Sequence, residues 1–207
     1  MVFKTEQENF WAGDFGDKYI DRNKSEEYLA SNLNFFSKAF NQLGRPNSLI
    51  EFGANVGMNL RAIQLLYPKI EIKGIEINQN AAAQLSEYIG KENVYHGSIF
   101  DYEPTQKFDV SLIKGVLIHI NPDMLPTVYE KLYQSSKKYI LIAEYYNPSP
   151  VAIKYRGHSD RLFKRDFAGE ILEQYKDLEL VDYGFIYKRD KAFPQDDVTW
   201  FLIKKGN

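Results

Sequence analysis

The sequence predicts a doubly wound α/β domain, with about seven strands, mostly parallel, and helices on both faces. Three observations predict it. Short β-branched runs alternate with segments whose apolar residues recur every three or four positions. Apolar runs such as Ser48–Phe52 and the fully apolar Tyr139–Ala143 read as strands buried on both faces, although Ile70–Glu76 alternates. The last two runs have no helix between them, which predicts an antiparallel C-terminal hairpin. No repeat or Pro/Gly-rich linker divides the 207 residues, so one domain is expected over 1–207, with an N-terminal segment (1–24) ahead of a core (25–207).

The elements follow in order. From Ser25 to Gly44, Leu29, Leu33, Phe36, Phe40 and Leu43 mark one helix face, stopped by Gly44 and Pro46. Ser48–Phe52 is an apolar strand that enters a glycine-bearing turn. Leu60, Ile63 and Leu66 predict a helix that ends at Pro68. A second strand runs over Ile70–Glu76, and a helix carrying Ala81, Leu85 and Tyr88 closes at Gly90. Asn93–His96 is a minimal third strand and Phe108–Ile113 a fourth. Pro122 suits the first position of a helix carrying Leu125, Val128 and Leu132. Tyr139–Ala143 is the fifth strand. An irregular stretch with Pro148, Pro150 and Gly157 precedes a helix holding Phe167, Ile171 and Tyr175. Leu178–Tyr187 and Val198–Lys204 form the closing pair.

Composition excludes several functions. Lys plus Arg number 26 against 28 Asp plus Glu, a net charge of −2, so no global field attracts nucleic acid or an anionic membrane. Without Cys there is no disulfide, thiolate catalysis or Cys-ligated metal, which fits a reducing compartment. Met1–Glu8 carries no secretory signal and no apolar run reaches the ~20 residues of a membrane span, so a cytoplasmic protein is expected. Asp101, Asp109 and the Asp196-Asp197 pair are too scattered for a metal site, and Asp196-Asp197 reads as turn chemistry.

In an open α/β sheet the ligand lies beyond the carboxyl ends of the strands. The first strand ends in Glu51-Phe52-Gly53-Ala54-Asn55-Val56-Gly57. Gly53 permits the turn, Gly57 lets the next helix approach, and the free amides of that helix attract an anionic group. Glu76, closing the second strand, stands where a ribose diol would be gripped by two hydrogen bonds. The absence of Gly-Lys-Ser/Thr excludes a P-loop, and the absence of a tight Gly-x-Gly argues against a dinucleotide. Glu51 would repel a diphosphate but suits a ligand bearing an ammonium group.

These residues resemble the class I S-adenosylmethionine-dependent methyltransferases, which have a Rossmann-like fold. Glu51, Gly53 and Gly57 match the family's acid-x-Gly-x-x-x-Gly motif, and Glu76 matches its ribose-binding acid. The resemblance implies S-adenosylmethionine as cofactor, held by Gly53, Ala54, Asn55, Gly57 and the Glu76-Ile77 pair. It places Ser98 and Ile99 at the adenine edge, where Asp is commoner than Ser98. It also lays the backbone of Lys114, Gly115 and Leu117 along the methionine moiety. The aromatic, Gly-broken stretch from Glu6 to Asn23 looks like the family's mobile lid, carrying Trp11, Tyr19 and Arg22. Together with Tyr155-Arg156-Gly157-His158 and Leu162–Phe167, it is similar to the methylases associated with bacterial pseudaminic acid biosynthesis.

Methyl transfer from a sulfonium needs an aligned acceptor, exclusion of water and, for a hydroxyl acceptor, a base. Ring faces of Trp11 and Tyr19 would stabilise the sulfonium charge. His119, just past the fourth strand, is the candidate base. Glu144, Tyr145, Tyr146 and Asn147 follow the fifth strand and make a candidate acceptor pocket, with Glu144 and Tyr145 counted as catalytic beside His119. The basic run Lys154, Arg156, Arg161, Lys164 and Arg165, with His158, would suit an anionic small-molecule acceptor, and the resemblance implies a pseudaminic-type sugar or glycan precursor. The alternatives are a protein acceptor on a flagellar or surface protein, or a subunit that binds cofactor without catalysis.

Overall fold

A computed structural model describes residues 3–20, 25–155 and 161–206. Its elements in chain order are α1 (Glu6–Ala12), α2 (Asp14–Ile20), α3 (Glu26–Ala39), β1 (Ser48–Phe52), α4 (Met58–Leu66), β2 (Glu71–Glu76), α5 (Gln79–Ile89), β3 (Val94–His96) and β4 (Phe108–Lys114). They continue with α6 (Leu125–Ser135), β5 (Ser136–Glu144), β6 (Val151–Ala152), β7 (Phe163–Lys164), α7 (Phe167–Gln174), β8 (Leu178–Ile186) and β9 (Val198–Lys205). Seven strands form one sheet in the order β3-β2-β1-β4-β5-β9-β8. Strands β1 to β5 pair in parallel, and β9 runs antiparallel between β5 and β8. The doubly wound expectation is what the fold shows, with the hairpin's second strand on the inside.

Successive residues of the central strands point to opposite faces, and both faces are covered. Leu49, Leu112 and Leu141 pack with Phe35, Phe36, Leu60, Ile63 and Leu85 of α3, α4 and α5. Their neighbours Ile50, Ile113 and Ile142 pack with Leu125, Val128, Leu132, Phe167 and Ile171 of α6 and α7. This explains why these strands carry apolar residues on both faces, since a residue on either face meets a helix. Helix α3 starts where Ser25 Oγ accepts the Tyr28 N–H at 3.1 Å. Pro122 opens a short 3-10 turn over Pro122–Met124, and α6 proper begins at Leu125.

Two features were not read from the sequence. The N-terminal segment forms two seven-residue helices meeting at Gly13, with α1 held by a capping box between Thr5 and Glu8. The irregular stretch after β5 contains a small antiparallel pair, β6 with β7. Among the described residues no helix is long and apolar enough to cross a membrane.

Candidate functional site

Strand order reverses between β1 and β4, and there the carboxyl ends of the strands open into a cavity of about 530 Å³. The turn after β1 is built from left-handed residues: Gly53 at φ 77°, Asn55 at φ 49° and Gly57 at φ 82°. Asparagine tolerates that region and glycine has no Cβ to oppose it. The Gly53 and Ala54 N–H groups both donate to Ile75 O at 2.9 Å, which ties the turn to β2. Gly57 caps α4 without a side-chain bond, so the helix presents uncapped amides there. Gly57 itself lies behind the wall, against Leu85.

Glu76 is the organising acid. Its Oε2 accepts the Asn55 N–H and its Oε1 the Asn78 N–H, both at 2.7 Å. One carboxylate thus holds the β1 turn and the start of α5 together, the Ile77 N–H is drawn to it as well, and it lines the cavity as an acceptor. Burial raises its pKa, against the lowering effect of those amide bonds. Ile77, Ser98, Ile99 and Phe100 line the cavity beside it. The Ser98 hydroxyl is occupied with its own loop, accepting the Phe100 N–H at 3.0 Å.

Glu51 is fully buried and does not face the cavity directly. Asn59 stands between them: its Nδ2 donates to Glu51 Oε1 at 2.6 Å, while Glu51 Oε2 and Asn59 Oδ1 are buried without a partner. Burial pushes the Glu51 pKa up to about 8, and both the Asn59 bond and the nearby Lys114 charge oppose that rise. Lys114 lines the cavity with its Nζ 3.3 Å from the Tyr28 hydroxyl and 5.4 Å from that ring's centre. Gly115 also lines the wall, but Leu117 does not: its side chain is in the core, and Val116 takes its place.

Several expected site residues point elsewhere. The Glu144 side chain turns under the β4 loop, where one oxygen accepts the Val116 and Leu117 N–H groups at 2.8 Å each. Burial raises its pKa to about 7, with those amides pulling the other way. Its position is that of a buttress for the loop, because a strand-end carboxylate with two free amides in reach bonds to them before reaching out. Arg161 is drawn away by Glu6, 2.9 Å from its Nη2, and lies 5.8 Å from the Phe10 ring. Tyr146 is exposed beside Phe201 and does not line the cavity, and Asn147 bonds to Ser149 O within its own turn. Arg22, Arg156 and His158 lie outside the described residues.

Trp11, Tyr19, His119 and Tyr145 do come together. Helices α1 and α2 cover the cavity, and Trp11 contacts Tyr19 (5.3 Å) and His119 (4.6 Å). The His119 Nδ1 lies 2.7 Å from Arg161 O, so Nδ1 carries the hydrogen and Nε2 the lone pair. Burial lowers the imidazole pKa to about 4, which leaves it uncharged near neutral pH and weakly basic. Sequence reasoning missed Asn59, Asn78, Tyr155 and Asp196, which line the same cavity. Only Asn78 left a signal, as the N-cap of α5 through Asn78 Oδ1 and the Ala81 N–H. The others are brought in by tertiary contacts.

The cover is held tightly at Gly16. A Cβ there would run into the Trp11 carbonyl oxygen and stand 2.8 Å from Asn78 Nδ2. Gly16→Ala is therefore expected to lift α2 off α5 at an overpacking cost of about 1–3 kcal/mol. Thermal melting should show a small loss of stability, and ligand titration a larger loss of affinity.

No protein-family model and no curated protein matches the chain. Solved structures do. A Burkholderia thailandensis 1,6-didemethyltoxoflavin-N1-methyltransferase, with bound S-adenosylhomocysteine, is 18% identical with a TM-score of 0.72, covering 100% of this chain and 92% of the other. A Synechocystis magnesium protoporphyrin IX methyltransferase with bound S-adenosylmethionine is 10% identical, with a TM-score of 0.67 and full coverage of both chains. A plantazolicin methyltransferase in complex with a substrate analogue and S-adenosylhomocysteine is 15% identical, with a TM-score of 0.63, covering 97% of this chain and 95% of the other. At these identities the likeness is one of architecture: the chain has the Rossmann-like fold seen in these methyltransferases.

Proposed function

We propose that this protein is an S-adenosylmethionine-dependent methyltransferase acting on a small molecule. The observation that carries the reading is the Glu76 carboxylate, locked by the Asn55 and Asn78 amides at the end of β2 and facing the cavity. The donor set suits the cofactor part by part. Glu76 offers acceptors for a ribose diol, and Ile77, Ile99 and Phe100 an apolar slot for a base. Asn59 Oδ1, backed by Glu51, suits an ammonium group, and Lys114 a carboxylate. The bound cofactor supplies an activated methyl group; the chain's task is to align the acceptor and exclude water, which α1 and α2 serve by covering the cavity.

A covered cavity favours a small acceptor over a protein one. The anionic character expected of it has lost part of its argument, because Arg161 and Arg165 are paired with Glu6 and Glu170. A pseudaminic-type sugar rests on the resemblance alone.

Calorimetric titration with S-adenosylmethionine and S-adenosylhomocysteine tests the reading. Both should bind, and failure of both would end it. The titration also has an expected pH dependence. With its pKa near 8, Glu51 is protonated in the free protein near neutral pH. An ammonium group nearby favours the carboxylate, so binding releases a proton. Affinity should rise with pH toward about 8, by at most about tenfold per unit. Glu51→Gln should flatten that rise, and equal slopes for both proteins would remove Glu51 from the binding site.

A further inference from the structure

Five rings close one end of the cavity. Tyr19 meets Trp11 edge-on at 5.3 Å, Trp11 meets His119 at 4.6 Å, and His119 meets Tyr155 at 5.6 Å. Tyr145 lines the same cavity, with its phenol within electrostatic range of Tyr19 and Tyr155. All five line the cavity, and the rings come from four separate parts of the chain.

A carboxylate joins them from the closing hairpin. Glu144 pairs with Thr199 across β5 and β9, so Tyr145, one residue on, stands beside the residues that lead into β9. Asp196 is thereby placed at the rim next to the Tyr145 hydroxyl and lines the same cavity. Its loop is pinned by a buried amide pair, Gln195 Nε2 donating to Asn32 Oδ1 of α3 at 2.8 Å. Lys164 lies on the Tyr145 ring, 5.2 Å from its centre, but does not line the cavity.

Aromatic faces and one carboxylate form a site for a cation. Resting on the methyltransferase reading, we infer that the acceptor is a nitrogen nucleophile, an amine whose methylated, positively charged product is held by Trp11, Tyr19, Tyr145, Tyr155 and Asp196. In the transfer the nitrogen lone pair forms the N–C bond and the S–C bond breaks with its pair returning to sulfur. The positive charge passes from sulfur to nitrogen, toward Asp196 and the rings. The amine's hydrogens stay on the product, and one leaves to solvent after release. No base is needed at the moment of transfer, in keeping with a His119 that is a weak one.

The test uses protein saturated with S-adenosylhomocysteine, whose sulfur is neutral, and two isosteric probes: choline and 3,3-dimethyl-1-butanol. Choline should bind about tenfold more tightly than its uncharged isostere. Asp196→Asn, a change at an exposed rim position, should weaken choline about fivefold while S-adenosylhomocysteine affinity stays within about twofold. Equal binding of the two probes to loaded protein would overturn the cation site and leave the methyltransferase reading standing. A protein that binds neither S-adenosylhomocysteine nor S-adenosylmethionine would overturn both.

Discussion

Gly53→Val is expected to abolish cofactor binding while the domain stays folded. Gly53 sits at φ 77°, and a Cβ there would stand 2.5 Å from Val116 Cγ2. The left-handed backbone alone costs a residue with a Cβ about 1–2 kcal/mol. Crowding against Val116 adds about 1–3 kcal/mol. Val116 belongs to the opposite wall, and its N–H is held by Glu144, so it has little freedom to retreat. The turn must yield instead, moving the Gly53 and Ala54 amides off Ile75 and misplacing Asn55. Circular dichroism should report an intact domain and calorimetry no measurable binding. Normal binding by this variant would refute the assignment of the turn.

Glu76→Ala should weaken the cofactor by about 1.5–3 kcal/mol, or roughly 10–150-fold, through loss of charge-assisted hydrogen bonds. The effect has two sources. The carboxylate is the acceptor offered to the ribose, and it also holds the Asn55 and Asn78 N–H groups at 2.7 Å. Glu76→Gln separates them: its amide oxygen keeps one backbone bond, while its NH2 faces a second donor. It should fall between wild type and Ala in both affinity and melting temperature. Unchanged affinity in Glu76→Ala would place the ligand elsewhere in the cavity.

Much of the architecture was legible along the chain. The apolar runs at Ser48–Phe52 and Tyr139–Ala143 announced buried strands, and the three-four spacing through Leu29, Leu33 and Phe36 announced α3. Gly53 and Gly57 marked the turn because a left-handed backbone selects glycine, and Glu76 stood one strand–helix–strand step further on. Other residues were misplaced for a common reason. Glu144 follows a strand directed at the cavity, but two backbone amides lie closer to its carboxylate than any ligand could. Arg161 stands in a basic run, yet Glu6, far away in sequence, takes its guanidinium. Asp196 reads as a turn residue until the β5–β9 register brings it beside Tyr145.

The sequence by itself determined the class of sheet, the helices that cover it, the glycine turn and the acid that closes β2. Each follows from local properties, namely period, propensity and permitted φ. Only the tertiary structure decided which side chains share the cavity: Asn59 in front of Glu51, Asp196 beside Tyr145, Trp11 against His119. The physical reason is that a polar or aromatic side chain takes the nearest partner of suitable chemistry in space. Strand order and register set that neighbourhood, and they join residues that no local pattern connects.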